Sequence, residues 1–144
     1  MKNISYTIIV IFMFLFSVES TAQGFAFDLG YKTMKGSYMQ AGVSYRISDH
    51  TDENVWNVDA ALLTDFNRHH IPKIGVQKRL VLFELGGNIS TRYAEPTLGF
   101  NLLNALKLNA GYTFPYKNDF PQQFTFGLVI SLGGNRYYDR LNFM

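Results

Sequence analysis

A nine-residue stretch near the C-terminus, Phe124–Leu132 (FTFGLVISL), alternates between two kinds of side chain. Every second residue is large and apolar, and the residues between them are small or polar, apart from Val129. Side chains alternate between the two faces of a β-strand, so a period of two predicts a strand with one apolar face. The same design recurs about seven times upstream, which predicts an all-β chain of about eight antiparallel strands.

The eight predicted strands are separated by short connections. They cover residues 25–32, 38–47, 55–66, 72–80, 83–92, 97–102, 106–114 and 124–132. The phase of the alternation predicts a two-residue hairpin at Val81-Leu82 and a three-residue hairpin at 103–105, while residues 93–96 (YAEP) have the composition of a turn. The tail from about residue 133 either extends the last strand or hangs free.

The first 22 residues have the three parts of a secretory signal peptide. Lys2 supplies the positive charge, Ile8–Phe16 the apolar core, and Ser20-Thr21-Ala22 the small residues before a cleavage site. A membrane-anchoring helix is the alternative, but the apolar run is shorter than the ~20 residues that cross a bilayer. We therefore expect cleavage before Gln23 and a single exported domain at residues 23–144.

Composition excludes several classes of site and partner. The chain has no cysteine, so it forms no disulfide, no Cys-ligated metal site and no lipidated N-terminal cysteine. Its net charge is +2, without the basic stripe that nucleic-acid binding needs. We expect no cofactor and no nucleic-acid partner.

Two observations predict that the apolar face points outward. The opposite face carries a glycine on seven of the eight strands, and glycine suits a crowded, curved interior better than a surface in water. These glycines are Gly30, Gly42, Gly75, Gly86, Gly99, Gly111 and Gly127. The apolar face also holds too many aromatic side chains for the narrow interior of an eight-stranded barrel. Strands of ~10 residues that are apolar outside and polar inside are typical of transmembrane β-barrels.

This pattern resembles the small eight-stranded outer-membrane barrels of Gram-negative bacteria, the class of OmpX and the OmpA membrane domain. The resemblance covers the whole mature chain and is one of pattern. It implies an outer-membrane location, contact with outer-membrane lipid, and periplasmic termini. The chain departs from the family in two ways. Ser48–Asn54 would form a long periplasmic loop, and a tail follows the last strand, where family members usually end on an aromatic residue.

The predicted inner face carries ten charged residues, which we interpret as a network that plugs the lumen. They are Asp28, Lys32, Arg46, Asp59, Asp65, Lys73, Arg79, Glu84, Arg92 and Lys107. Buried charges are stable when they are paired. A conducting pore is the alternative, but eight strands leave no open channel.

The three histidines, His50, His69 and His70, carry no pattern that predicts a metal or catalytic site. We therefore expect a non-enzymatic structural or interaction protein of the cell surface or of a secretion assembly. A protein partner could dock on the loops or the tail. Two alternatives remain open: a lipid-modifying barrel enzyme, and a soluble periplasmic barrel that binds a small apolar ligand.

Overall fold

The computed structural model describes residues 24–48, 55–134 and 137. The expected signal peptide, His50 and most of the Ser48–Asn54 loop lie outside these residues. The nine strand segments are β1 (Phe25–Met34), β2 (Gly36–Ser48), β3 (Val55–Thr64), β4 (His70–Leu80), β5 (Phe83–Ser90), β6 (Tyr93–Leu102), β7 (Leu106–Tyr112), β8 (Phe114–Pro115) and β9 (Phe124–Gly133). In the described part of the chain, no helix is long and apolar enough to cross a membrane.

The strands form a closed antiparallel barrel, which confirms the predicted fold class. Neighbours in sequence pair with one another, β5 pairs with β6, and β1 pairs with β9 to close the sheet. The short β8 pairs with β6 in the same register as β7, so these two segments form one barrel strand and the barrel has eight. Closure leaves no strand at an open edge.

Both predicted tight hairpins are present. Leu80 pairs with Phe83 around Val81-Leu82, where Val81 has φ 59°. Leu102 pairs with Leu106 around residues 103–105, where Leu103 and Asn104 have φ 53° and 63°. The predicted turn at 93–96 is wrong: the chain turns at 91–92 instead, and β6 begins at Tyr93.

The register fixes how strongly the strands tilt. A path perpendicular to the strands returns to the first strand about ten residues further along, a stagger that tilts eight strands by about 40–45°. Starting from Phe25, this path passes Tyr45, Val58, Val76, Gly87, Pro96, Tyr112 and Phe124 and arrives level with Lys35. A strand of 10 residues such as β1 then spans a height of about 24 Å.

The two faces of the sheet have opposite chemistry. Alternate residues of β1 are exposed and buried along its whole length, and the large apolar residues Phe25, Phe27, Leu29 and Tyr31 are all exposed. We call the exposed large apolar side chains of the strands the apolar belt. It comprises Phe25, Phe27, Leu29, Tyr31, Met39, Val43, Tyr45, Ile47, Trp56, Leu62, Ile74, Val76, Leu80, Phe83, Leu85, Ile89, Leu98, Phe100, Leu102, Leu108, Phe114, Phe124, Phe126, Leu128, Ile130 and Leu132.

The barrel has two distinct ends. At the loop end lie the connections at residue 35, 65–69, 91–92 and 116–123. At the tail end β1 begins, β9 ends, and the turns at 81–82 and 103–105 lie.

Candidate functional site

Buried side chains form hydrogen bonds across the interior of the barrel, and the interior residues of the described structure lie in three layers. The middle layer is built around Glu95, which is 1% exposed. Its carboxylate accepts a hydrogen bond and ion pair from Lys32 Nζ at 2.5 Å and a hydrogen bond from Asn88 Nδ2 at 2.9 Å. Thr125 Oγ1 donates to the other carboxylate oxygen. Four strands, β1, β5, β6 and β9, are thereby connected across the lumen.

The layer at the tail end is built around Tyr137, which follows β9 and is fully buried. Its backbone N–H donates to the Gly134 carbonyl at 2.9 Å. The phenol oxygen accepts a hydrogen bond from Lys107 Nζ at 2.7 Å and lies 2.5 Å from Ser44 Oγ. The Lys107 ammonium also lies 5.3 Å from the centre of the phenol ring.

The backbone of Tyr137 is held as firmly as its side chain. Its carbonyl accepts hydrogen bonds from Arg46 Nη1 at 3.1 Å and from Asn104 Nδ2 at 2.8 Å. Asn104 in turn exchanges two hydrogen bonds with Asn57, at 2.9 and 3.2 Å. The tail therefore neither extends β9 nor hangs free at this residue, because Tyr137 enters the mouth of the barrel and seals it.

The layer at the loop end is apolar. It consists of the buried residues Met34, Tyr38, Leu63, Ile71, Tyr93 and Phe120. Phe120, from the 116–123 connection, stacks on Tyr93 with ring centres 5.0 Å apart. We call this group the apolar seal. A connection thus folds over the loop end and closes it with packed side chains.

Little space remains between these layers. A cavity of about 20 Å³ lies among polar residues that include Asp59, Lys73, Glu84 and Lys107. That volume accommodates about one water molecule. The large apolar side chains of the strands, which an apolar ligand would need as a lining, point outward instead.

The structure brings eight of the ten predicted lumen charges into the interior. Asp28, Lys32, Arg46, Asp59, Lys73, Arg79, Glu84 and Lys107 are all buried. Asp28 accepts a hydrogen bond from Ser131 at 2.5 Å, and Glu84 accepts one from Asn101. The buried carboxylates thus accept hydrogen bonds from hydroxyl and amide groups as well as from cations.

The other two predicted lumen charges lie in connections at the loop end. Arg92 is partly exposed and lies 3.6 Å from Asp119. Asp65 follows β3 and organises the 65–69 connection, where it accepts hydrogen bonds from the backbone N–H groups of Asn67, Arg68 and His69. The predicted strands 55–66 and 83–92 extend beyond the ends of β3 and β5, which is why these residues were assigned to the lumen.

The seven predicted lumen glycines all lie where a side chain would collide with a neighbour. A Cβ atom at these positions would come within 2.2–2.7 Å of another atom. At Gly111 the collision is with Glu95, and at Gly75 it is with Asn88 and Asp59. Glycine therefore makes room for the polar network at these two positions.

Glu95, Tyr93 and Tyr137 are among the interior residues that the sequence does not predict. Tyr93 and Glu95 share the phase of Thr97 and Gly99, a signal that the turn composition of residues 93–96 obscured. Tyr137 lies beyond the last alternating strand, so no periodicity marks it.

Of the two histidines that the structure describes, His69 lies in the 65–69 connection and His70 begins β4. His69 Nδ1 lies 2.7 Å from Asp65 Oδ2. This side-chain hydrogen bond, together with the backbone N–H groups of Asn67 and His69, holds the pKa of Asp65 well below its usual range. His70 is exposed on the outer face. Among the described residues, no group of three His, Asp or Glu side chains is placed to bind a metal.

Comparisons with known proteins add no relative. No protein-family model, no curated protein and no solved structure matches the chain.

Proposed function

We propose that this chain is an integral protein of the Gram-negative outer membrane, exported through a cleaved signal peptide. In this proposal it is a non-enzymatic structural or interaction component of the cell surface or of a surface or secretion assembly. The observation that carries the proposal is the apolar belt, which encircles a barrel whose buried residues are mostly polar or charged outside the apolar seal.

Water is a poor solvent for such a surface. Soluble monomers rarely expose continuous apolar patches larger than a few hundred Å², whereas here each of the eight barrel strands contributes at least two large exposed apolar residues, β7 and β8 together contributing Leu108 and Phe114. The strand height of about 24 Å matches the apolar band of ~25 Å that outer-membrane barrels present to lipid. Closure also pairs the backbone polar groups that hydrocarbon cannot satisfy.

The distribution of aromatic residues supports the same orientation. At the tail end, Phe25 and Tyr45 pack with ring centres 4.7 Å apart, and Lys78 Nζ lies 5.5 Å from the centre of the Trp56 ring. At the loop end, Tyr112 contacts both Phe114 and Phe124, with centres 5.1 and 5.0 Å apart. Aromatic rings at two levels are typical of the interfaces between a bilayer and water.

The sealed interior supports a structural rather than a conducting role. Tyr137 closes the tail end, and the apolar seal closes the loop end. We expect the purified protein to show no steady conductance in planar bilayers, and reproducible large steps would contradict a plugged lumen.

The decisive experiment compares two arginine substitutions on the outer face of β1. Leu29→Arg lies near the middle of the belt, and Thr33→Arg lies near its loop-end rim. In a bilayer, the first should reduce the free energy of unfolding by about 2–4 kcal/mol and the second by about 0–1 kcal/mol. Reversible urea unfolding in lipid vesicles measures both values.

Both positions are exposed, so a barrel that is surrounded by water should tolerate both substitutions equally. Outer-membrane fractionation and a gel-mobility shift between heated and unheated samples provide independent checks. Equal effects of the two arginines, with the protein recovered in the soluble periplasmic fraction, would rule out the proposal.

A further inference from the structure

The outer surface of the barrel carries a groove of about 690 Å³ across β2, β3 and β4. Its floor is Ala41 and Ala60, the small outward residues of β2 and β3. Their cross-strand neighbours are large: Ala41 pairs with Leu62, and Ala60 pairs with Val43 and Ile74. Two small residues among large ones therefore leave a depression in the belt.

The groove reaches the loop end of the barrel. Pro72 and Thr91 line it on that side. His70 is the next outward residue on β4 beyond Pro72, and it lies level with Thr64 at the end of β3. An apolar channel thus leads from the middle of the belt to a polar rim.

The rim carries an excess of positive charge. The described connections at the loop end contain the cations Lys35, Arg68, Arg92 and Lys117 and the carboxylates Asp65 and Asp119. Both carboxylates are already engaged, Asp65 by His69 and by backbone N–H groups and Asp119 by Arg92. An anionic group is therefore the complement of this rim.

We propose that the groove binds a phosphorylated glycolipid of the outer leaflet. One acyl chain would lie over Ala41 and Ala60, and the phosphate would lie at Arg68 and His70. The depression runs along the strands toward the rim, an Arg guanidinium donates charge-assisted hydrogen bonds to phosphate, and the exposed His70 imidazole supplies a further donor. This inference rests on the proposed function. The loop end faces the outer leaflet only if the barrel spans the outer membrane with the start of β1 and the end of β9 on the periplasmic side.

The test measures lipid retention by native mass spectrometry of the full mature chain released from nanodiscs. The nanodiscs contain phosphatidylcholine with an equal small fraction of bisphosphorylated lipid A or of phosphatidylglycerol. We expect lipid A to remain bound preferentially. Equal retention of both anionic lipids, or retention of neither, would overturn the assignment, as would a dimer whose contact replaces the lipid.

Two pairs of variants locate the site. Ala60→Leu fills the groove, while Ala110→Leu makes the same change on the outer face of β7, outside it. Arg68→Ala removes a charge from the loop-end connection that precedes His70, while Lys78→Ala removes one from the tail end of β4, away from that rim. We expect Ala60→Leu and Arg68→Ala each to reduce lipid A retention about tenfold, equivalent to about 1.4 kcal/mol, and the two controls to retain it. Equal losses in a variant and its control would exclude a localised site.

A gel-mobility shift on heating verifies that each variant forms a closed barrel. This readout also separates the two proposals. A barrel that inserts in vesicles and retains no lipid A contradicts the groove proposal alone, whereas a chain that stays in solution contradicts the membrane proposal as well.

Discussion

The two ends of the lumen are closed by opposite chemistry. At the loop end, six buried side chains pack against one another, and Phe120 covers them by stacking on Tyr93. At the tail end, Tyr137 is held by hydrogen bonds from its phenol and from its backbone carbonyl. The same eight-stranded barrel is therefore closed by apolar packing at one end and by a network of hydrogen-bonded polar groups at the other.

The two seals also differ in the quality of their polar contacts. The Tyr137 hydroxyl has two hydrogen-bond partners. The Tyr93 hydroxyl is buried and has no hydrogen-bond partner among the described residues. A tyrosine hydroxyl is therefore hydrogen-bonded at the tail end and unpaired at the loop end. The same substitution at Tyr137 and at Tyr93 should change the free energy of unfolding differently.

The largest effect is expected from Tyr93→Ala, which removes the centre of the apolar seal. The lost ring contacts and the cavity left behind should reduce the free energy of unfolding by about 3–5 kcal/mol. Urea unfolding in vesicles measures the loss, and Phe66→Ala is the control, because Phe66 is an aromatic residue of the loop end that is 75% exposed. A similar cost for both substitutions would show that the seal is not a packed core.

Tyr137→Phe should have the second largest effect. It keeps the ring in the mouth of the barrel but removes the hydroxyl, so Lys107 loses its acceptor and Ser44 loses its partner. Leaving such buried groups unsatisfied costs about 1–3 kcal/mol. The same unfolding assay measures it, and an unchanged midpoint would mean that the hydroxyl contributes nothing to the tail-end seal.

Tyr93→Phe makes the identical change at the other end and should have a smaller effect of opposite sign. Because the hydroxyl has no partner, its removal should leave stability unchanged or raise it by up to about 1 kcal/mol. The unfolding midpoints of the two Tyr→Phe variants provide the comparison. If both variants were destabilised to the same extent, the two tyrosine hydroxyls would contribute equally to stability, and the proposed difference between the two ends would be wrong.

The smallest effect concerns the connection at 65–69, which lies beside the apolar seal. Since the pKa of Asp65 is lowered in the folded protein, its stabilising contribution is complete above the unfolded value of about 4. That contribution is lost as the pH falls through the folded value. Amide exchange of residues 67–69 should therefore show constant protection from pH 7 to about pH 4. Asp65→Asn should show weaker protection at every pH, and equal protection in both proteins would contradict this role.

Much of the barrel could be predicted from the alternation of side chains. Period two assigns Leu29 and Leu128 to one face and Gly30 and Gly127 to the other, and the crowding around the glycines agrees with an inward orientation. The closed eight-stranded fold followed from that pattern.

The candidate site was less predictable because its decisive residues break the pattern. Glu95 precedes Pro96 in a stretch with the composition of a turn, yet in the barrel that stretch is strand and Glu95 pairs with Lys32. Tyr137 is a single residue beyond β9, and its position depends on contacts with Arg46, Asn104 and Lys107, which are distant in sequence. The apolar seal gathers residues from five strands and one connection, and only the three-dimensional fold brings them together.

The seam between β1 and β9 has a consequence for the order of assembly. Ala26 pairs with Gly133, so the first strand finds its second neighbour only when the last strand arrives. Until then the sheet has two open edges. Pairing them brings together the two ends of the barrel sequence, so it carries the entropy cost of closing a loop that contains nearly all of the strands. The folding chain can thus form its hairpins one by one, but it becomes a barrel in a single final step.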